Sequence, residues 1–174
     1  MKTVFVLGKK SDFMEFVEVV AYTMEYNGAT VDSELALVPF EEKYYEDYRD
    51  IYHDCFYEMR KDLGLRPYNA CDSIKKLLAK KNDVFLLLAD NEIVASVAVY
   101  ENEIDDLFVS RKFQGRGYGK KLLQFAVSLL QKRNVSPIAL NVAEWNQKAI
   151  SLYKNNGFVV SKIETVSVKQ KPEV

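Results

Sequence analysis

Val109-Ser110-Arg111-Lys112-Phe113-Gln114-Gly115-Arg116-Gly117-Tyr118-Gly119-Lys120 leads from a strand-forming segment through a glycine-rich turn into an amphipathic stretch. Glycine admits positive φ and lets a ligand approach the main chain without a Cβ in the way. The free N–H groups that open a helix, together with its dipole, favour an anion there. Arg111, Lys112, Arg116, Lys120 and Lys121 add five positive charges with no acid between them. The expected guest is the diphosphate of an organic cofactor, which makes the chain a cofactor-using enzyme. The plainer alternative, a glycine-rich connection that holds nothing, leaves the clustered charge unexplained.

Two better-known phosphate loops fail against this stretch. The nucleotide loop G-x-x-x-x-G-K-[ST] would need glycine at Gln114 and a hydroxyl residue at Lys121. The dinucleotide fingerprint G-x-G-x-x-G, begun at Gly115, meets Lys120 where its last glycine belongs. It should also open a first strand–helix–strand unit, and this turn comes late in the chain.

Downstream of the turn, Leu122, Phe125, Ala126, Leu129 and Leu130 trace one helical face. Pro137 stops that helix, Ile138–Val142 reads as a buried strand, and Asn146 can cap a further helix to about Asn155. Gly157 suits the left-handed position after it, and Phe158–Val160 with Ile163–Val168 supply closing strands. Upstream, Val84–Ala89, Ile93–Tyr100 and Glu103–Val109 follow at the spacing of an antiparallel meander. Before them come a helix over Glu41–Asp62, a loop over Gly64–Asn69 and a short helix capped by Asp72 or Ser73. Glu34–Val38 reads as a strand ended by Pro39. At the N-terminus, Val4–Leu7 is rich in strand-formers, and Ser11-Asp12 open an amphipathic stretch to about Tyr26 that is expected to be helical. The sum is an α+β (mixed α/β) domain with no repeat or linker.

Composition sets the outer bounds. A chain of 174 residues with 48 % apolar and 28 % charged residues fits one globular domain. A net charge of −1 gives no general attraction to nucleic acid or to a membrane surface, and no apolar run approaches the roughly 18 residues of a membrane span. The N-terminal apolar run is too short for a signal sequence, so the expected location is cytoplasmic. Cys55, Cys71 and a single histidine, His53, are too few for a structural zinc site or a disulfide framework, and no metal is expected. His53 and Cys55 share a helical stretch, where packing or solvent exposure accounts for them better than nucleophilic catalysis.

With these readings in place, Gln114–Gly119 resembles the [Q/R]-x-x-G-x-[G/A] acetyl-CoA signature of the GCN5-related N-acetyltransferases (GNAT). Glu103–Val109 looks like the fourth strand of that family. Asn146–Phe158 is similar to its N-x-x-A-x-x-L-Y-x-x-x-G-F segment, so three matches fall in the right order. The resemblance implies a central, mostly antiparallel sheet flanked by helices over 34–174; residues 1–33 have no counterpart in the minimal fold and read as a strand–helix extension on the same domain, covering a sheet edge or supporting a homodimer. It also implies acetyl-CoA as cosubstrate and direct transfer of its acetyl group to a primary amine of a small molecule or peptide. A non-catalytic acyl-CoA sensor and a transferase of longer acyl groups remain open alternatives.

The resemblance places Leu107, Phe108 and Val109 beside the pantetheine and thioester, with an amide near Val109 available to an oxyanion. Gln114, Gly115, Arg116, Gly117, Tyr118, Gly119 and Lys120 would hold the diphosphate, and Asn146 would touch cofactor as well as cap its helix. Tyr153 would lie at the thioester sulfur and protonate the departing thiolate. A phenol of pKa about 10 stays protonated at neutral pH and can do so. Glu103, six residues before Val109, matches the family's glutamate base, with Asp105 and Asp106 as rivals. Tyr44, Tyr45, Tyr48 and Tyr52 lie where members build the acceptor pocket, and their rings and neighbouring acids suit an ammonium.

Overall fold

The computed structural model describes residues 3–5 and 15–170. The meander forms as its spacing demands: β4 (Val84–Ala89), β5 (Glu92–Tyr100) and β6 (Glu103–Val109) pair antiparallel in turn. Every residue of β5 from Ile93 to Val99 is buried, as expected of a central strand covered on both faces. Ahead of the meander, β3 (Val38–Pro39) pairs with β4. The rest of the expected strand over Glu34–Val38 is irregular. Helices α1 (Tyr45–Asp62) and α2 (Ile74–Ala79) follow β3. After the meander come α3 (Tyr118–Lys132), β7 (Ala139–Ala143), α4 (Gln147–Lys154) and β8 (Phe158–Lys169).

Two apolar clusters hold these layers together. α3 and α4 bring Leu122, Ala126, Ile150 and Tyr153 against Val97, Val99 and Leu140 of the sheet. α1 and α2 bring Tyr48 and Leu77 against Phe40, Leu86 and Phe108. The mixed α+β architecture is what the sequence pattern predicts, and the mostly antiparallel sheet between helices is what the resemblance implies.

The N-terminal expectation is corrected. Of the expected strand Val4–Leu7, positions 4 and 5 fall in the short β1 (Thr3–Phe5), but Glu15–Tyr26 is a strand, β2, and not a helix; positions 6 and 7 of that strand and 11–14 of the expected helix lie outside the described residues. The sequence EFVEVVAYTMEY carries three valines and a threonine, whose branched β-carbons favour extended backbone, and its apolar spacing admits either period. Tertiary pairing decides. β2 lies antiparallel to β7 on one side and to β8 along its full length on the other. Met24, fully buried, joins the main cluster. The segment therefore fills the interior of the sheet and does not cover an edge, and β8 is one continuous strand with an irregularity beside Thr23/Met24.

The feature that positions the site is a splay. β6 and β7 run parallel but pair only at Glu103↔Ala139 and Ile104↔Leu140. Beyond Ile104 the two strands part, and Leu107–Val109 has no partner strand on that side among the described residues.

Candidate active site

The cradle forms at the helix start. Gly115 and Gly117 have φ of 76° and 81°, where a side chain would be strained, and a Cβ on either would point into open space. Gly117 occupies the N-cap of α3 with no side-chain cap, so the first-turn N–H groups stay available. The five cations separate into different roles. The Arg111 guanidinium donates to the Asp54 carbonyl, 2.7 Å from Nη2, and Lys112 pairs with Glu92. Arg116 and Lys121 lie over the rings of Phe113 and Tyr118, and Lys120 lines the cleft.

That cleft, of about 480 Å³, runs from the cradle into the splay. Among the expected residues, Leu107, Phe108, Val109, Gln114, Gly115, Gly117, Tyr118, Gly119, Lys120 and Asn146 all border it. Arg116 does not. Asn146 caps α4, its side-chain oxygen accepting from the Ala149 N–H at 3.2 Å. The Val109 carbonyl accepts from Gln114 Nε2 at 3.0 Å and from Cys55 Sγ at 3.3 Å, which fixes the strand end against α1.

The opposite wall is one the sequence reading missed. Cys55, Phe56 and Met59 from α1 face Trp145, Lys148 and Leu152 across the cleft. The Trp145 indole N–H donates to Asp62 Oδ2 at 3.1 Å, joining the two lips. Helical spacing of Cys55 and Met59 was the available signal; which neighbour they faced was not encoded locally. Burial pushes the Cys55 thiol up to about 11, so at neutral pH it is a thiol and not a nucleophile.

Tyr153 borders a second cavity of about 280 Å³, together with Leu107, Asn141, Leu152, Asp105 and Asp106. The ring is buried against Phe158, and burial followed by the Asp105 carboxylate pushes its phenol up to about 12. It is a proton donor across the physiological range. Leu107, Asn146, Ala149 and Leu152 border both this cavity and the main cleft, so the two adjoin.

The acids divide along the splay. Glu103 sits where β6 and β7 still pair, accepts from Asn141 Nδ2 at 2.7 Å, and borders none of the three cavities described here. Asp106 sits on the open side. It accepts from the Tyr52 hydroxyl at 2.9 Å, and burial followed by the adjoining Asp105 carboxylate holds its carboxyl up at about 7. Of the four tyrosines expected near the acceptor, Tyr48 and Tyr52 border a third cavity of about 520 Å³ with Asp72, Asp105 and Asp106. Tyr48 is core, packed edge-on to Phe40 and Phe108, while Tyr44 and Tyr45 lie beside Lys43 and Arg49 of their own segment. No group of three metal-binding side chains occurs among the described residues.

Residues 45–158 match the profile of the Acetyltransferase (GNAT) family. The chain superimposes on a GNAT-family acetyltransferase structure from Novosphingobium aromaticivorans with a TM-score of 0.65 and 16 % identity, covering 98 % of this chain and 68 % of that one. A Thermoplasma acidophilum PaiA N-acetyltransferase, solved in complex with coenzyme A, gives a TM-score of 0.62 at 18 % identity over 79 % of this chain and 98 % of the other. A curated relative, thialysine N-epsilon-acetyltransferase of Sus scrofa, is 32 % identical over 54 residues, 31 % of this chain and 32 % of its own length. The matched segment thus spans about a third of that relative.

Proposed function

The chain belongs to the acetyltransferase (GNAT) family, and from that premise we propose that it transfers an acetyl group from acetyl-CoA to a primary amine. The observation that carries this reading is the pair of adjoining cavities that extend from the Gly115–Gly117 cradle, past the unpaired edge of Leu107–Val109, to Tyr153 and the carboxylates.

Each part suits one piece of the cosubstrate. The cradle amides and Lys120 would hold the diphosphate. The unpaired edge of β6 offers peptide groups to the amides of the pantetheine arm, between apolar walls from Phe56, Met59 and Leu152. At the inner end, Tyr153 would hand its proton to the departing sulfur, and a free N–H of the β6 edge near Val109 would meet the developing oxyanion. Asp105 and Asp106 at the far side favour a cationic acceptor. The curated relative's name specifies an ε-amine, which makes amines on aliphatic side chains the first acceptors to try.

The test is release of CoA thiol from acetyl-CoA with lysine, short alkyl diamines, aminoglycosides and lysine peptides as acceptors. Expected is release above background hydrolysis with at least one of them, matched by an acetylated amine of the right mass. Acetyl-CoA binding with no release across the whole panel would contradict transfer and leave an acyl-CoA-binding protein.

A further inference from the structure

We propose that the chain forms a two-fold symmetric dimer in which the outer edge of β8 pairs antiparallel with β8 of a second copy. The starting point is the place that β2 takes in the sheet. Because β2 fills the slot between β7 and β8, the sheet ends on β8, which pairs with β2 on one side and with no described strand on the other. The strand is 12 residues long, so its free side presents a row of backbone N–H and C=O groups without sheet partners. Edges of that length are ordinarily shortened, covered or paired, because they template the addition of another strand.

The side chains of β8 are as unusual for a free edge as its length. Of the five large apolar residues that stand exposed among the described residues, Val159, Ile163 and Val166 all belong to β8. They do not form a stripe on one face. Val159 pairs with Glu25, Ile163 with Tyr22 and Val166 with Val19. Side chains alternate along β2, so Ile163 projects to one side of the sheet and the two valines to the other. A partner lying flat on one face would cover one set and leave the other in water. A strand added beyond the edge comes beside both.

The charges choose the occupant. Lys162, Ile163 and Glu164 lie near the middle of the strand, and within one copy Lys162 Nζ pairs with Glu164 Oε2 at 2.7 Å. Residues opposed in an antiparallel pair share the same hydrogen-bonding sense, so a two-fold axis between identical strands passes through a residue. An axis through Ile163 sets each Lys162 opposite the partner's Glu164 on one face, and Ile163 against its own copy on the other. An axis one residue earlier opposes the two lysines and one residue later the two glutamates, and like charges directly opposed are destabilising. A strand that answers its own charges about its midpoint suits an isologous interface. The irregularity of β8 beside Thr23/Met24 falls at Ser161, outside this central triplet, and from Lys162 to Lys169 the pairing with β2 is regular.

No residue of β2 or β8 borders the cofactor cleft, so both clefts of the dimer stay open. A single strand pair lies at the small end of specific interfaces, and dissociation in the micromolar range is expected. Dimerisation needs no acetyl-CoA, which makes its test independent of the acetyl-transfer reading.

Sedimentation velocity of the full chain, from sub-micromolar to several hundred micromolar, should show wild type passing from monomer to dimer. Lys162→Glu opposes acids across the axis and should raise the dissociation constant about 10-fold or more, while the monomer keeps its circular dichroism spectrum and melting temperature. The double variant Lys162→Glu/Glu164→Lys restores complementarity about the same axis and should recover wild-type association. Ile163→Cys should cross-link to twice the chain mass under mild oxidation, because opposed Cα atoms lie about 4.5–5.5 Å apart, within disulfide reach. Thr165→Cys should not, its two copies lying roughly 13 Å apart in this register; wild type supplies the background from Cys55 and Cys71. A monomer at every concentration overturns the proposal. So does a dimer indifferent to Lys162→Glu, a double variant that associates no better than the single one, or cross-linking through Thr165→Cys in place of Ile163→Cys.

Discussion

Gly117→Glu is expected to weaken acetyl-CoA binding by about 100-fold or more, close to 3 kcal/mol of lost affinity. Two effects add. Gly117 has φ of 81°, where a residue with a Cβ pays roughly 1–2 kcal/mol to remain. The new side chain would also extend into open space that no protein atom occupies within 4 Å of its Cβ, placing a carboxylate where the first-turn amides of α3 attract an anion. The substitution perturbs no packed core, so the variant should stay folded. Calorimetric titration with acetyl-CoA reads the effect, and near-native affinity in the folded variant would place the phosphates elsewhere.

Tyr153→Phe should act on the rate and spare the affinity. The hydroxyl makes no hydrogen bond among the described residues, and the ring packs on Phe158, so phenylalanine keeps the packing and removes only the proton donor. General acids contribute about 100-fold to 10,000-fold. A thiolate is a far better leaving group than an alkoxide, so the loss belongs at the lower end, about 100-fold in kcat. Because burial holds the phenol near 12, wild type should show no falling limb from Tyr153 below about pH 10. A variant with unchanged kcat under chemistry-limited conditions would remove Tyr153 from the proton path.

The sequence made the cradle and the meander readable because both are local. Positive φ is written in Gly115 and Gly117, strand alternation in Val84–Val109, and the Asn146 cap lies three residues from the N–H it satisfies. What stayed hidden is set by distant partners. Residues 15–26 become a strand because β7 and β8 leave a slot between them, which no local periodicity reports. The cleft wall from Cys55 to Met59 is likewise defined by where α1 lies relative to α4. Among the acids, the resemblance points to Glu103 with Asp105 and Asp106 as rivals, and an ideal strand has no way to show that the register of β6 shifts opposite Val97 or that the splay begins after Ile104. The three carboxylates lie within four residues of one another and differ in environment, not in sequence character.

The most direct measurement is an amide-resolved NMR titration of the protein with acetyl-CoA. Binding in the proposed orientation should shift the N–H signals of Gly115, Gly117 and Gly119 and those of Leu107–Val109 together, with one saturation curve, while the outer half of β8 stays still. Shifts confined to other surfaces, or glycine amides that do not respond at saturation, would contradict the assignment of this cleft to acetyl-CoA.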